Sequence, residues 1–254
     1  MSNPLAPSRL QGSRILITGS SRGIGAKTAQ YLSEAGASVV INYRNKAARA
    51  EKLAEELAQT GAQALAIGAD LTDAIDVARM LNQIKEAWGG LDVLVLNASG
   101  GMEADMGEDY AMKLNRDAQV GLLMSALSLM DRGSRVVFIT SHQAHFIREV
   151  DTMPEYLPVA LSKRAGEDAL RGMIDQLGLA GVEFVVVSGD MIEGTVTATL
   201  LNRANPGVIE QRKEQVGKLY NVDEFAAEVA LAVVEDVPAD HTRLVGDTSS
   251  FAPA

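Results

Sequence analysis

The stretch Ile15-Leu16-Ile17-Thr18-Gly19-Ser20-Ser21-Arg22-Gly23-Ile24-Gly25 constrains this chain most: an apolar run breaks into a glycine-rich turn and resumes as a helical pattern. Ile15 to Ile17 read as a buried strand. Gly19, Gly23 and Gly25 remove Cβ atoms where backbone must turn sharply and approach a pyrophosphate. N–H groups opening the next helix, with the positive end of its dipole, then face the phosphates. The stretch is a nucleotide cradle in outline, with Gly19, Ser21, Arg22, Gly23 and Ile24 as its candidate contacts.

The pattern then repeats. Helical periodicity over Ala26–Ala35, closed by Gly36, leads to an apolar strand at Ser38–Tyr43. Strand, helix and strand make a βαβ unit, whose crossover is right-handed and whose strands are parallel. Next come a helix at Lys46–Gln59, a strand at Gln63–Ile67, a helix at Ile75–Trp88 and a strand at Leu91–Leu96. A helix at about Tyr110–Met130, a strand at Arg135–Thr140, a helix at Pro158–Gly178 and strands at Glu183–Ser188 and Arg243–Val245 complete the series. This alternation predicts an α/β fold, a Rossmann-like doubly wound parallel sheet with helices on both faces. The 254 residues suit one domain, 1–254, and no stretch reads as a linker between two. In such a sheet ligands sit beyond the carboxyl ends of the strands. That rule selects Thr18–Gly25, Asn42–Asn45, Asp70-Leu71, Asn97–Gly101, Ser141-His142 and Ser188-Gly189-Asp190 before any chemistry is considered.

The net charge of −10 argues against a nucleic-acid or anionic-membrane surface, so local basic residues must do any phosphate binding. With no cysteine, disulfides, thiolate metal sites and a thiol nucleophile are excluded. His142 and His145 have no further ligands near them in sequence, so no metal is expected. No run of about 18 apolar residues and no signal-peptide pattern is found, and a cytoplasmic protein is expected. After the second strand, Asn42-Tyr43-Arg44-Asn45 carries no acid to accept from a ribose 2′-hydroxyl. A carboxylate there would repel a 2′-phosphate, whereas Arg44 and Arg22 can bind one through planar forks of donors. NADP(H), rather than NAD(H), is therefore the expected cofactor.

Preceded by Thr18, the G-x-x-x-G-x-G spacing resembles the short-chain dehydrogenase/reductase family, as does Ala160-Leu161-Ser162-Lys163-Arg164-Ala165. The likeness runs from about Gly12 to Gly246. It implies an NADP(H)-dependent oxidoreductase acting on a ketone or alcohol, assembled as a homo-oligomer, dimer or tetramer. It also implies cofactor roles. Asp70, with Leu71, would meet the adenine, unless Asp70 or Thr72 only caps the following helix. Tyr43 and Arg44 would stand at the adenosine end, and Asn97, Ala98 and Ser99, where the family has Asn-Asn-Ala-Gly, would flank the ribose. Ser188-Gly189-Asp190-Met191-Ile192-Glu193-Gly194-Thr195 resembles the family's Pro-Gly run, which assigns Ser188, Gly189, Ile192 and Thr195 to the nicotinamide and pyrophosphate. A substrate lid around 190–220 follows from the same likeness, and the glycines and methionines of Gly100–Gly107 suit a second, adaptable pocket wall. Family members assemble through apolar helices, and the charged helix holding Lys163, Arg164, Glu167, Asp168, Arg171 and Asp175 would weaken that seam.

In the family a Tyr protonates the carbonyl oxygen, and a Lys four residues later lowers the Tyr pKa and holds the nicotinamide ribose. A Ser positions the carbonyl, and an Asn connects the Lys to water. The resemblance carries these roles to Lys163, Ser141 and Asn115, although Asn115 can also serve to repair helix backbone. The tyrosine position is Val159, which has no proton to give. The segment His142–Tyr156 is longer than the family's and can deliver a substitute. Tyr156 leads, because Pro158 suits a first helical turn and leaves Tyr156 just outside the helix, near Lys163; packing over the sheet edge is its competing role. His142 and His145 follow as donors near neutral pH, against the commoner role of hydrogen-bonded loop residues. A phenol on the substrate itself is a further donor. The missing tyrosine resembles the family's atypical ketoreductases without the Ser/Tyr pair, those of simocyclinone (angucyclinone) type, and implies a bulky polycyclic aromatic ketone. Two other readings stay open: a catalytically silent NADP(H)-binding regulator or sensor, and a lyase or dehydratase that uses the cofactor structurally.

Overall fold

Strand β1 (Arg14–Ile17) carries the chain's opening apolar run into the centre of a sheet, where Ile15, Leu16 and Ile17 are fully buried in the computed structural model. The structure describes residues 2–102, 106–107 and 109–251. The other strands are β2 (Ser38–Tyr43), β3 (Ala64–Gly68), β4 (Leu91–Leu96), β5 (Met130–Ser141), β6 (Glu183–Gly189) and β7 (Thr242–Val245). Their order is β3-β2-β1-β4-β5-β6-β7, with every neighbouring pair parallel. The chain winds outward from β1 to β3, returns to the other side of β1 as β4, and winds outward again. The expected doubly wound fold is thus present, with its switch point between β1 and β4.

Because both faces are covered, the strands read as continuous apolar runs. Ile15, Ile17, Val39 and Ile41 point to one face, where α1 (Gly23–Glu34), α2 (Ala47–Ala58) and α11 (Val222–Val234) close over them with Leu32, Leu57 and Phe225. Leu16, Val40 and Leu94 point to the other, under α3 (Ala74–Trp88), α5 (Gln119–Ala126), α7 (Leu157–Arg171) and α8 (Ile174–Ala180). Local chemistry sets the helix ends. The Asp73 carboxylate accepts from the N–H groups of Ile75 and Asp76 to cap α3, and Asn221 and Glu224 form a capping box on α11.

Most boundaries move by one to three residues, and three elements differ more from expectation. Strand β5 begins at Met130 rather than Arg135, because the exposed residues Asp131, Arg132 and Gly133 hide its start. The helix expected over Tyr110–Met130 is α4 (Tyr110–Met112), a π-helical segment at Lys113–Ala118, α5 and a 3₁₀ turn at Leu127–Leu129. The helix expected over Pro158–Gly178 breaks after Arg171, at the poor helix former Gly172, where the Arg171 guanidinium reaches out to Asp240 O and Thr242 Oγ1. At Gly166 a Cβ would fall 2.1 Å from Asn115 O, so only glycine lets α7 lie this close to the π-helical segment.

Between β6 and α11 stand α9 (Val196–Ala204) and α10 (Val208–Val216). Their Ala198, Leu201 and Val208 pack with Met191 and Leu219 over Tyr156, Val159 and Ala160, an apolar cluster separate from the two sheet faces. Among the described residues no helix is long and apolar enough to cross a membrane, and no group of three or more His, Asp or Glu is placed to hold a metal ion.

Candidate active site

A cavity of about 610 Å³ opens beyond the carboxyl ends of the central strands. Its floor at one end is the glycine turn, which buried polar groups hold in shape. Asn42 Oδ1 accepts from Gly19 N–H at 3.1 Å, Asn42 O accepts from Ser20 N–H at 3.0 Å, and Asn42 Nδ2 donates to Ala69 O at 3.3 Å beyond β3. Thr18 Oγ1 accepts from the N–H groups of Asn97 and Ala98, each at 2.9 Å, and Asn97 Nδ2 donates to Thr18 O at 2.8 Å. Four strand ends, those of β1 to β4, are thereby tied into one surface. A Cβ on Gly25 would lie 2.5 Å from Asn97 Nδ2 and 2.9 Å from Ser20 Cα, and Gly19 and Gly23 take φ of +61° and +58°. Helix α1 starts without a side-chain cap and without an acidic residue in its first turn, so its positive end is presented to the cavity.

Ser21, Arg22 and Ile24 line this end, and Tyr43, Arg44, Asp70, Leu71, Asn97, Ala98 and Ser99 continue the wall. Asp73, not Asp70 or Thr72, caps α3; Asp70 Oδ1 instead accepts from Thr72 N–H and Oγ1. The Arg44 guanidinium donates to the Tyr110 hydroxyl and lies over its ring, 5.4 Å from the centroid. Two cations that sequence reasoning missed, Lys46 and Arg49, join Arg22 and Arg44 on the cavity wall. Their signal was position: both belong to the turn that opens α2, directly after the strand that delivers Arg44.

At the other end stand Ser141, Tyr156 and Lys163. Ser141 closes β5, and its Oγ accepts from Ala144 N–H at 3.3 Å, capping the short helix α6 (His142–His145). Tyr156 precedes α7, and its hydroxyl lies 3.1 Å from Ser141 Oγ. Burial pushes the Tyr156 pKa up, against the opposing effect of the Ser141 hydrogen bond. Lys163 is buried, and its Nζ donates to Ile139 O at 3.1 Å. Desolvation pulls its pKa down to about 8, partly offset by the charge of Glu167. Glu167 is itself fully buried and accepts from His145 Nδ1 at 2.8 Å and Arg171 Nε at 2.9 Å. Val159 is packed into the apolar cluster under α9. The cleft therefore holds a Ser–Tyr pair, unlike the family branch without one. Ile192 and Thr195 reach the cavity from beyond β6, Thr195 while capping α9.

Several expected site residues lie elsewhere. Asn115 is buried behind the wall, where Nδ2 donates to Gly100 O and Ser162 Oγ and Oδ1 accepts from Gly100 N–H. It braces the π-helical segment instead of lining the cavity. Ser188 and Gly189 do not line it either: Ser188 Oγ is bonded to His142, and Gly189 abuts the Phe225 ring. His145 is turned to Glu167. Of the expected wall Gly100–Gly107, residues 103–105 lie outside the described residues.

His142 is fully buried, with Nε2 donating to Val245 O at 3.1 Å and Nδ1 accepting from Ser188 Oγ at 2.8 Å. Burial lowers its pKa from 6.5 to about 4, against the opposing charge of Asp190. It is a neutral structural group, not a proton donor. Between those two values the unfolded chain binds the proton and the folded chain does not, so stability falls as the pH drops through this window. The loss from this group is on the order of 3 kcal/mol. Melting curves from pH 7 to pH 4 should show a smaller loss in His142→Asn, which keeps a donor for Val245 O without titrating. An equal loss in both proteins would rule this account out.

A family model for short chain dehydrogenases matches residues 13–205, which spans the glycine turn, Ser141, Tyr156 and Lys163. The chain belongs to the short-chain dehydrogenase family. This short-chain dehydrogenase is accordingly an oxidoreductase. It is 30% identical to the short chain dehydrogenase mdpC of Emericella nidulans over 96% of this chain and 91% of that protein. It is also 30% identical to versicolorin reductase 1 of Dothistroma septosporum over 93% and 89%. A short chain dehydrogenase from Burkholderia cenocepacia, solved in complex with NADP, superposes with a TM-score of 0.79 at 28% identity, covering 94% of this chain and 98% of that one. The angucycline C-6 ketoreductase LanV with bound NADP superposes at 0.77 and 28% identity, covering 91% and 92%.

Proposed function

We propose that this short-chain dehydrogenase is an NADPH-dependent ketoreductase, with Tyr156 as the proton donor in place of the residue at Val159. The observation that carries the reading is the Ser141–Tyr156 pair, 3.1 Å apart, in the same cavity as the glycine turn and Lys163. The residues fit the cofactor: a glycine turn in which Gly19 and Gly23 take positive φ, an uncapped helix start, and Arg22, Arg44, Lys46 and Arg49 at the end where a 2′-phosphate would lie. Bound there, NADPH supplies the hydride. Tyr156 Oη donates its proton to the carbonyl oxygen, and Ser141 Oγ holds that oxygen in place. One Lys163 proton is committed to Ile139 O, leaving two for ribose hydroxyls. Burial keeps the Tyr156 phenol protonated, the form a proton donor needs.

The apolar wall of Met191 with Ala198 and Leu201 of α9 suits a bulky aromatic ketone of polyketide type. Relatives named for versicolorin and angucycline reduction support that class. Leu157 and Leu161 of α7 and Met124 of α5 are exposed and support a homo-oligomeric seam despite the charges on α7. The test is NADPH oxidation followed by absorbance with a panel of aromatic polyketide ketones. Turnover of at least one polycyclic ketone is expected. Tight NADPH binding without oxidation by any of them would favour the silent sensor.

A further inference from the structure

We propose that Gln143 is a specificity-determining residue, its side-chain carbonyl accepting the proton of a substrate hydroxyl carried near the ketone; this rests on the ketoreductase reading for what the pocket holds. Gln143 lies two residues beyond Ser141 on α6 and lines the cavity. Its amide orientation is set by chemistry: one group lies 2.8 Å from Asp190 Oδ1, a carboxylate that can only accept, so that group is Nε2, the donor. Oε1 then has no hydrogen-bond partner in the protein among the described residues, and Gln143 lines the same cavity as Ser141 and Tyr156.

Asp190 is itself held from three directions. Met191 N–H donates to its Oδ1 at 2.7 Å, and Arg212 of α10 donates to its Oδ2 through Nε at 2.8 Å. Arg212 is anchored in turn by Ser250 Oγ at 2.7 Å and by the Phe251 ring, 4.8 Å from its guanidinium carbon. A chain of fixed groups therefore runs from the C-terminal segment through α10 to the pocket wall. Such an oriented acceptor discriminates, because a ligand without the matching donor leaves it unpaired when water is expelled. Hydroxylated aromatic ketones are the chemical class it selects, and Arg212 is a positioning residue acting through Asp190.

The test is calorimetric binding of 1-tetralone and its 5-, 6-, 7- and 8-hydroxy isomers to the NADP+-loaded protein, with NADPH oxidation measured beside it. Wild type should bind at least one hydroxy isomer about tenfold more tightly than the parent ketone. Gln143→Leu should abolish that preference, so that the hydroxy isomers and 1-tetralone bind within about twofold of one another. Arg212→Met should reduce the preference. A preference absent in wild type, or surviving in Gln143→Leu, overturns the proposal whether or not the ketones are reduced. Preserved discrimination without NADPH oxidation by these or by the polycyclic ketones would instead sink the reductase reading and leave the acceptor role standing.

Discussion

Tyr156→Phe is expected to lower kcat for ketone reduction about 10²–10⁴-fold, the range associated with removing a positioned general acid. NADPH affinity, measured by fluorescence titration, should stay unchanged. The ring is packed with Ala144, Val159 and Met191 in the cluster beneath α9, and phenylalanine fills the same space. Only the hydroxyl and its contact with Ser141 Oγ are removed, so the melting temperature should barely move. Lys163→Ala provides the contrast, because it deletes a buried ammonium from the cavity and should weaken NADPH binding as well as turnover. Turnover that survives Tyr156→Phe would assign the proton to a phenol on the substrate. The histidines are poor alternatives, since His142 is bonded to Val245 O and Ser188 and His145 to Glu167.

The proposed substitution of Tyr156 for a residue at Val159 rests on helical geometry. Tyrosine and lysine four apart share a helix face, and so do residues seven apart, two full turns along. Tyr156 and Lys163 stand at that spacing, and the longer connection after Ser141 lets the phenol fold back to its Oγ. The sheet is legible by comparison: β2 and β4 take the predicted bounds because their apolar runs end at turn residues. Strand β5 is legible only where it is buried, since Asp131, Arg132 and Gly133 leave no periodic mark. The π-helical segment has none either, because Asn115 stabilises it through contacts with Gly100 and Ser162 that are distant in sequence. Following a strand selects the right neighbourhood but not the direction of a side chain. Ser188 and His142 both follow that rule, yet they bond to each other behind the wall.

Replacing both Arg22 and Arg44 by serine is expected to raise the Kd for NADPH about 10²-fold while changing that for NADH by less than about threefold. Each arginine lines the adenosine end of the cavity, one from the turn after β1 and one from the turn after β2. Strand order places those two turns side by side, since β1 and β2 are direct neighbours in the sheet. The effect is bounded from both directions. Two charge-assisted contacts to a phosphate are lost, but the side chains are exposed and salt screens them, so the preference should shrink as ionic strength rises. Lys46 and Arg49 remain on the same wall and should hold part of the preference until they too are replaced. Arg44 also loses its contact with Tyr110, and Tyr110→Phe separates that contribution from the charge itself. Equal losses for NADPH and NADH would place the arginines on the pyrophosphate common to both cofactors, and the basis for choosing the phosphorylated one would then have to lie with Lys46 and Arg49.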